Sequence, residues 1–72
     1  MAYIIYRTDR FVREYFQGYE VLTGYPFFTT RDTEAHLFEE YEYCHQELSK
    51  IRGMLGLYVD VNMKYRRERE LD

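Results

Sequence analysis

Seventy-two residues with a formal charge of −3 leave room for one hydrophobic core, and so small a negative balance gives no electrostatic reason for non-specific nucleic-acid binding. A single cysteine, Cys44, excludes an internal disulfide, and no paired Cys/His spacing suggests a structural zinc. No apolar run approaches the roughly 20 residues of a membrane span. The opening residues lack the charged start, long apolar stretch and cleavage site of a signal peptide, which points to the cytoplasm.

The chain begins with a strand over Ala2–Arg7, with Ile4 on one face and Tyr3 and Ile5 on the other. Thr8-Asp9-Arg10 is a polar break of hairpin length, and a second strand comes next over Phe11–Phe16. Gln17-Gly18 ends it, with the glycine permitting a bulge or a turn. Tyr19–Leu22 reads either as a third strand or as an ordered loop, and Thr23, Gly24 and Pro26 mark a turn after it.

Leu37, Tyr41, Cys44, Leu48, Ile51 and Leu55 recur at alternating spacings of four and three, the stripe of an amphipathic helix. A helix is expected from about Asp32 to Arg52, with a further turn allowed before Gly56. Thr29 and Asp32 fit a loose capping box at its start. The last strand alternates Leu57, Val59, Val61, Met63 and Tyr65 with Tyr58, Asp60, Asn62, Lys64 and Arg66, which gives one wet face. Residues 67–72 alternate in charge and are expected to fray. The fold class is therefore α+β. A two-layer antiparallel sheet of three to four strands carries one helix on one face, in the order β-β-(β)-α-β, as a single domain over residues 1–72.

Nine tyrosines and five phenylalanines exceed what one small core can hold, so some rings must lie at the surface. His36, Glu40 and Cys44 would form one column on the expected helix, but a free cysteine in a core stripe is ordinarily a small apolar residue. His45 and Ser49 also lie one turn apart, without an orienting carboxylate or an oxyanion hole beside them in sequence. No Gly-rich phosphate loop or nucleophile elbow is present. Neither enzymatic activity nor a metal or cofactor is expected.

Charge is segregated along the chain, with a net −5 over residues 31–47 and +2 over residues 48–72. Glu39, Glu40, Glu42, Tyr43 and Glu47 form the first candidate surface, a set of carboxylates with a tyrosine anchor suited to a basic groove on another protein. The competing explanation is a solvated helix face that keeps an aromatic-rich chain soluble. Tyr58, Lys64, Tyr65, Arg66 and Arg67 form a second candidate surface, where rings interleaved with cations suit single-stranded nucleic acid. Charges on a last strand also discourage sheet-to-sheet aggregation. A homodimer, through Tyr25-Pro26-Phe27-Phe28 or the free edge of the last strand, is a third alternative.

The opening Ala2-Tyr3-Ile4-Ile5, the Phe28-Thr29-Thr30 entry with Glu34-Ala35 and Phe38, and the closing alternating strand resemble small phage-encoded accessory proteins. That group includes anti-CRISPR proteins and host-takeover inhibitors of β-β-α-β topology. The resemblance implies an inhibitor that occupies a surface of a larger host enzyme or complex, in the host cytoplasm and without a cofactor.

Overall fold

A computed structural model describes residues 2–56 and 60–66. Ala2–Asp9 (β1) and Val12–Tyr19 (β2) form a hairpin closed by Arg10 and Phe11. Arg10 takes φ 59°, a left-handed conformation that glycine adopts more readily. Pro26–Thr29 (β3) pairs with β2, and Val61–Arg66 (β4) pairs with β1, giving an antiparallel sheet in the order β3-β2-β1-β4. One helix, Tyr41–Leu55 (α1), packs on it, as an α+β domain requires. Among the described residues, no helix is long and apolar enough to cross a membrane.

Strand alternation sorts the side chains onto two faces. Ile5, Phe16 and Val61 meet Cys44, Leu48 and Ile51 of α1 in the main core, with Tyr3, Tyr19, Phe28, Leu55 and Met63 packed around it. Ala2, Ile4 and Arg66 project to the opposite face and are buried as well. Arg52 ties α1 to β4, its Nε donating to the Val61 carbonyl at 2.9 Å and its Nη2 to Asn62 Oδ1 at 3.0 Å.

The third strand does not fall within Tyr19–Leu22. Tyr19 completes β2, and β3 begins at Pro26, in the stretch that the proline marks as a turn. Pro26 is the first residue of an edge strand, where a missing N–H costs no ladder bond. The glycine-associated bulge is present. Phe16 pairs with Phe28 and Gly18 with Phe27, so Gln17 is the extra residue.

The helix is shorter than its apolar periodicity implies. Asp32–Glu34 forms one 3-10 turn, the next residues are non-helical, and α1 starts at Tyr41. The capping box expected of Thr29 and Asp32 does not form: the residue that caps this turn is Arg31, with no side-chain cap hydrogen bond, and Thr29 braces the turn from outside. Its Oγ1 accepts from the Arg31 N–H at 3.1 Å and donates to Glu34 Oε2 at 3.3 Å. The chain then enters a gap in the sheet. Paired residues of β1 and β2 run from Tyr6–Tyr15 to Asp9–Val12, and beside Tyr3 the neighbour is Phe38. Tyr3 and Phe38 exchange both backbone hydrogen bonds, at 2.7 and 2.9 Å, and the His36 N–H donates to the Phe16 carbonyl at 2.8 Å.

Those three bonds, with burial of Ala35 and Phe38, outweigh the helical tendency of residues 35–40. Leu37, the first residue of the expected stripe, is left 45% exposed. At the other end α1 runs beyond Arg52 to Leu55. Gly56, at φ 88°, stops it and donates its N–H to the Arg52 carbonyl at 3.0 Å.

Candidate protein-binding surface

The bulge in β2 is what creates a site. Phe16 and Tyr19 are three residues apart and would ordinarily point to opposite faces of a strand. The extra residue at Gln17 resets the alternation, so both rings lie on the helix side, with centroids 5.1 Å apart and edge to face. From the inserted segment come His36 and Phe38, their rings 4.5 Å apart, with Phe38 stacked on Phe16 at 6.1 Å. From α1 come Tyr43, 5.5 Å from the Phe38 ring, and Glu47 one turn later. Together with Gly18 these residues line a cleft of about 180 Å³ between the end of β2 and the first half of the helix.

Tyr19 and Glu47 are joined across this cleft, the phenol donating to Glu47 Oε2 at 3.2 Å. Partial burial, then the charge of Glu47 and the hydrogen bond to it, push the Tyr19 phenol up to about 12. The Lys50 ammonium lies 4.6 Å from the Tyr19 ring centroid, so this ring already accepts a cation on one face.

Of the acidic candidate set, Tyr43 and Glu47 share the cleft. Glu39 and Glu40 lie in the non-helical entry to α1, and Glu42 lies in its first turn; all three are exposed. Carboxylates there favour the positive end of the helix dipole, which is their structural role. Tyr19, His36 and Phe38 are members of the cleft that the periodicity of the sequence does not single out. Gly18 was their one available signal, through the bulge it marks.

The three described members of the basic candidate set, Lys64, Tyr65 and Arg66, do not form one exposed face. Tyr58 and Arg67 lie outside the described residues, as do Leu57 and Val59 of the expected alternation and the tail at 67–72. Tyr65 turns to the helix side, against Tyr3 at 5.3 Å. Arg66 is buried, with Nη1 donating to the Asp32 carbonyl at 2.7 Å and Nη2 lying 3.6 Å from Asp32 Oδ2. It holds the 3-10 turn against the sheet and presents no charge to solvent. Lys64 lies on the face opposite α1, where its ammonium and the Arg13 guanidinium lie 5.9 and 4.7 Å from the Tyr6 ring centroid. Tyr15 is the cross-strand partner of Tyr6.

The column of His36, Glu40 and Cys44 does not form, because the first two precede the helix. Cys44 is fully buried, and burial pushes its thiol up to about 11. His45 stacks on Tyr41, with ring centroids 6.0 Å apart. Among the described residues, no three His, Cys, Asp or Glu side chains are grouped to hold a metal ion. The segment weighed for pairing two copies forms edge strand β3, preceded by Tyr25; Tyr25 and Phe27 are exposed.

Comparison with protein-family models, curated proteins and solved structures finds no match, so the resemblance to phage accessory proteins gains no support from that source.

Proposed function

We propose that the protein is a non-enzymatic protein-binding module that docks on a basic surface of a larger protein through the entry of α1 and the cleft beside it. The observation that carries this reading is the placement of Glu47 and exposed Tyr43 in an aromatic cleft, next to three exposed carboxylates at Glu39, Glu40 and Glu42. Carboxylate rows steer basic partners and tyrosine supplies contact area at low entropic cost. A host enzyme or complex that handles nucleic acid has such a basic surface, and occupying it would make the protein an inhibitor.

The test is capture of partners from nuclease-treated bacterial lysate by the tagged protein and by a Glu39→Lys/Glu42→Lys variant. Both positions are exposed, so the variant retains its fold. A stoichiometric partner lost on charge reversal supports the reading, and a partner captured equally well by both proteins refutes it.

One observation favours a second reading on the other side of the molecule. Tyr6 and Tyr15 lie side by side, both part-exposed, on the sheet face opposite α1, with Arg13 and Lys64 beside Tyr6. Rings flanked by cations suit single-stranded nucleic acid, with Arg13 and Lys64 as the phosphate contacts. Two such contacts predict a log–log salt slope of about −1.4 for a single strand. Fluorescence anisotropy with a labelled oligothymidylate measures it, and binding that ignores salt excludes this reading.

A further inference from the structure

We infer that the cleft between β2 and α1 is a receptor for a single arginine side chain of the partner protein. The inference rests on the protein-binding reading above and names the group that would anchor it. Four features of the cleft fit a guanidinium. Its walls are aromatic, with Tyr19, His36, Phe38 and Tyr43 around a floor that includes Phe16. Its volume of about 180 Å³ suits one side-chain head group and not a larger organic ligand. A carboxylate stands at the wall, because Glu47 accepts one hydrogen bond from Tyr19 and keeps further acceptor positions on its two oxygens. The Tyr19 ring holds the Lys50 ammonium 4.6 Å from its centroid, so one ring of the cleft takes a cation on its face.

Arginine fits this arrangement better than lysine does. A planar guanidinium stacks on a ring while donating to a carboxylate in its own plane, and it is more weakly hydrated than an ammonium, so less is lost when it leaves water. Tyr43 and Glu47, one helical turn apart, offer that pair of contacts from the same side. The Tyr19–Glu47 hydrogen bond fixes the carboxylate before the ligand arrives, which lowers the ordering cost of binding. The exposed carboxylates at Glu39, Glu40 and Glu42 would draw a basic segment toward the opening.

The experiment is a two-dimensional NMR titration of the full chain with methylguanidinium chloride. Tetramethylammonium chloride and sodium chloride are run in parallel at equal ionic strength. Methylguanidinium should give saturable shifts at Tyr19, His36, Phe38, Tyr43 and Glu47, beyond those caused by sodium chloride. The Glu47→Gln variant should weaken that binding about tenfold and Tyr43→Ala about fivefold, the scale of one charge-assisted contact and one cation–π contact. Tyr43 is 53% exposed, so its truncation leaves the core intact. Shifts no larger than those from sodium chloride, or shifts unchanged in Glu47→Gln, overturn the inference, and tighter binding of tetramethylammonium overturns the choice of arginine.

This outcome separates from that of the protein-binding reading. A cleft that ignores methylguanidinium while partner capture still depends on Glu39 and Glu42 removes the arginine receptor alone. A cleft that takes methylguanidinium while partner capture ignores those glutamates retains the receptor and removes the acidic docking surface.

Discussion

Replacing Phe38 by alanine removes a ring that is 3% exposed and stacked on Phe16 in the middle of the domain. A buried Phe→Ala change costs about 3–5 kcal/mol, because it loses both transfer free energy and the contacts around the resulting cavity. A domain of 72 residues has about 4–11 kcal/mol in total, at about 0.05–0.15 kcal/mol per residue. The substitution should therefore remove much of the stability. With a urea m-value of about 1 kcal/mol/M, the midpoint falls by about 3 M or more. The neighbouring Leu37→Ala is the informative control. Leu37 is 45% exposed and should cost no more than about 1 kcal/mol. If residues 32–40 were helical, as the apolar spacing suggests, Leu37 would face the core and the order of the two effects would reverse. Urea unfolding of both variants decides the matter. A Leu37→Ala cost larger than that of Phe38→Ala refutes the insertion of this segment into the sheet.

Arg10→Gly should raise stability by about 0.5–1 kcal/mol, because glycine relieves the left-handed strain while giving back part of the gain as unfolded-state entropy. Thermal or urea unfolding reads this directly, and a loss of stability contradicts the turn geometry. The Tyr19 phenol, raised to about 12, titrates above its ordinary value of 10.0. The folded state thus favours the protonated phenol. That stabilisation is complete below about pH 10 and disappears as pH rises toward about 12. The alkaline loss of stability should be shallower in Tyr19→Phe, and identical profiles would show that Tyr19 contributes nothing. The Cys44 thiol, pushed to about 11 by burial, should react with a thiol reagent at pH 8 about 100-fold more slowly in the folded protein than in urea. Equal rates would mean that the thiol is accessible.

Local pattern made much of this architecture legible. The alternation in β1 and β4 and the stripe of Cys44, Leu48, Ile51 and Leu55 depend on neighbours two to four residues away. Gly18 marked a bulge and Gly56 a helix stop for equally local reasons. The differences arise where a distant partner decides. Residues 35–38 keep a helical apolar spacing, yet Tyr3 and Phe16 supply hydrogen bonds and a buried site for Phe38. Pro26 forbids a central strand and permits the start of an edge strand, and strand order cannot be read from periodicity. At the candidate site, Tyr43 and Glu47 were visible as an i, i+4 pair on the helix. Tyr19, His36 and Phe38 join them only through the bulge and the inserted segment. Arg66 looked like surface charge because nothing nearby in sequence announces Asp32 as its partner.

The insertion of Phe38 beside Tyr3 also bears on how the chain is made. β1 is an inner strand that precedes the other described strands in the chain, yet its neighbours at Phe38 and at Val61–Arg66 come far later. A growing chain can close the β1–β2 hairpin early, but Ala2–Ile5 must wait for those later segments with their backbone groups and isoleucines uncovered. Such an interval invites strand pairing between nascent chains on neighbouring ribosomes. The yield of folded protein should thus depend on how quickly translation proceeds from Phe38 to Arg66, the stretch over which the first strand gains its remaining partners.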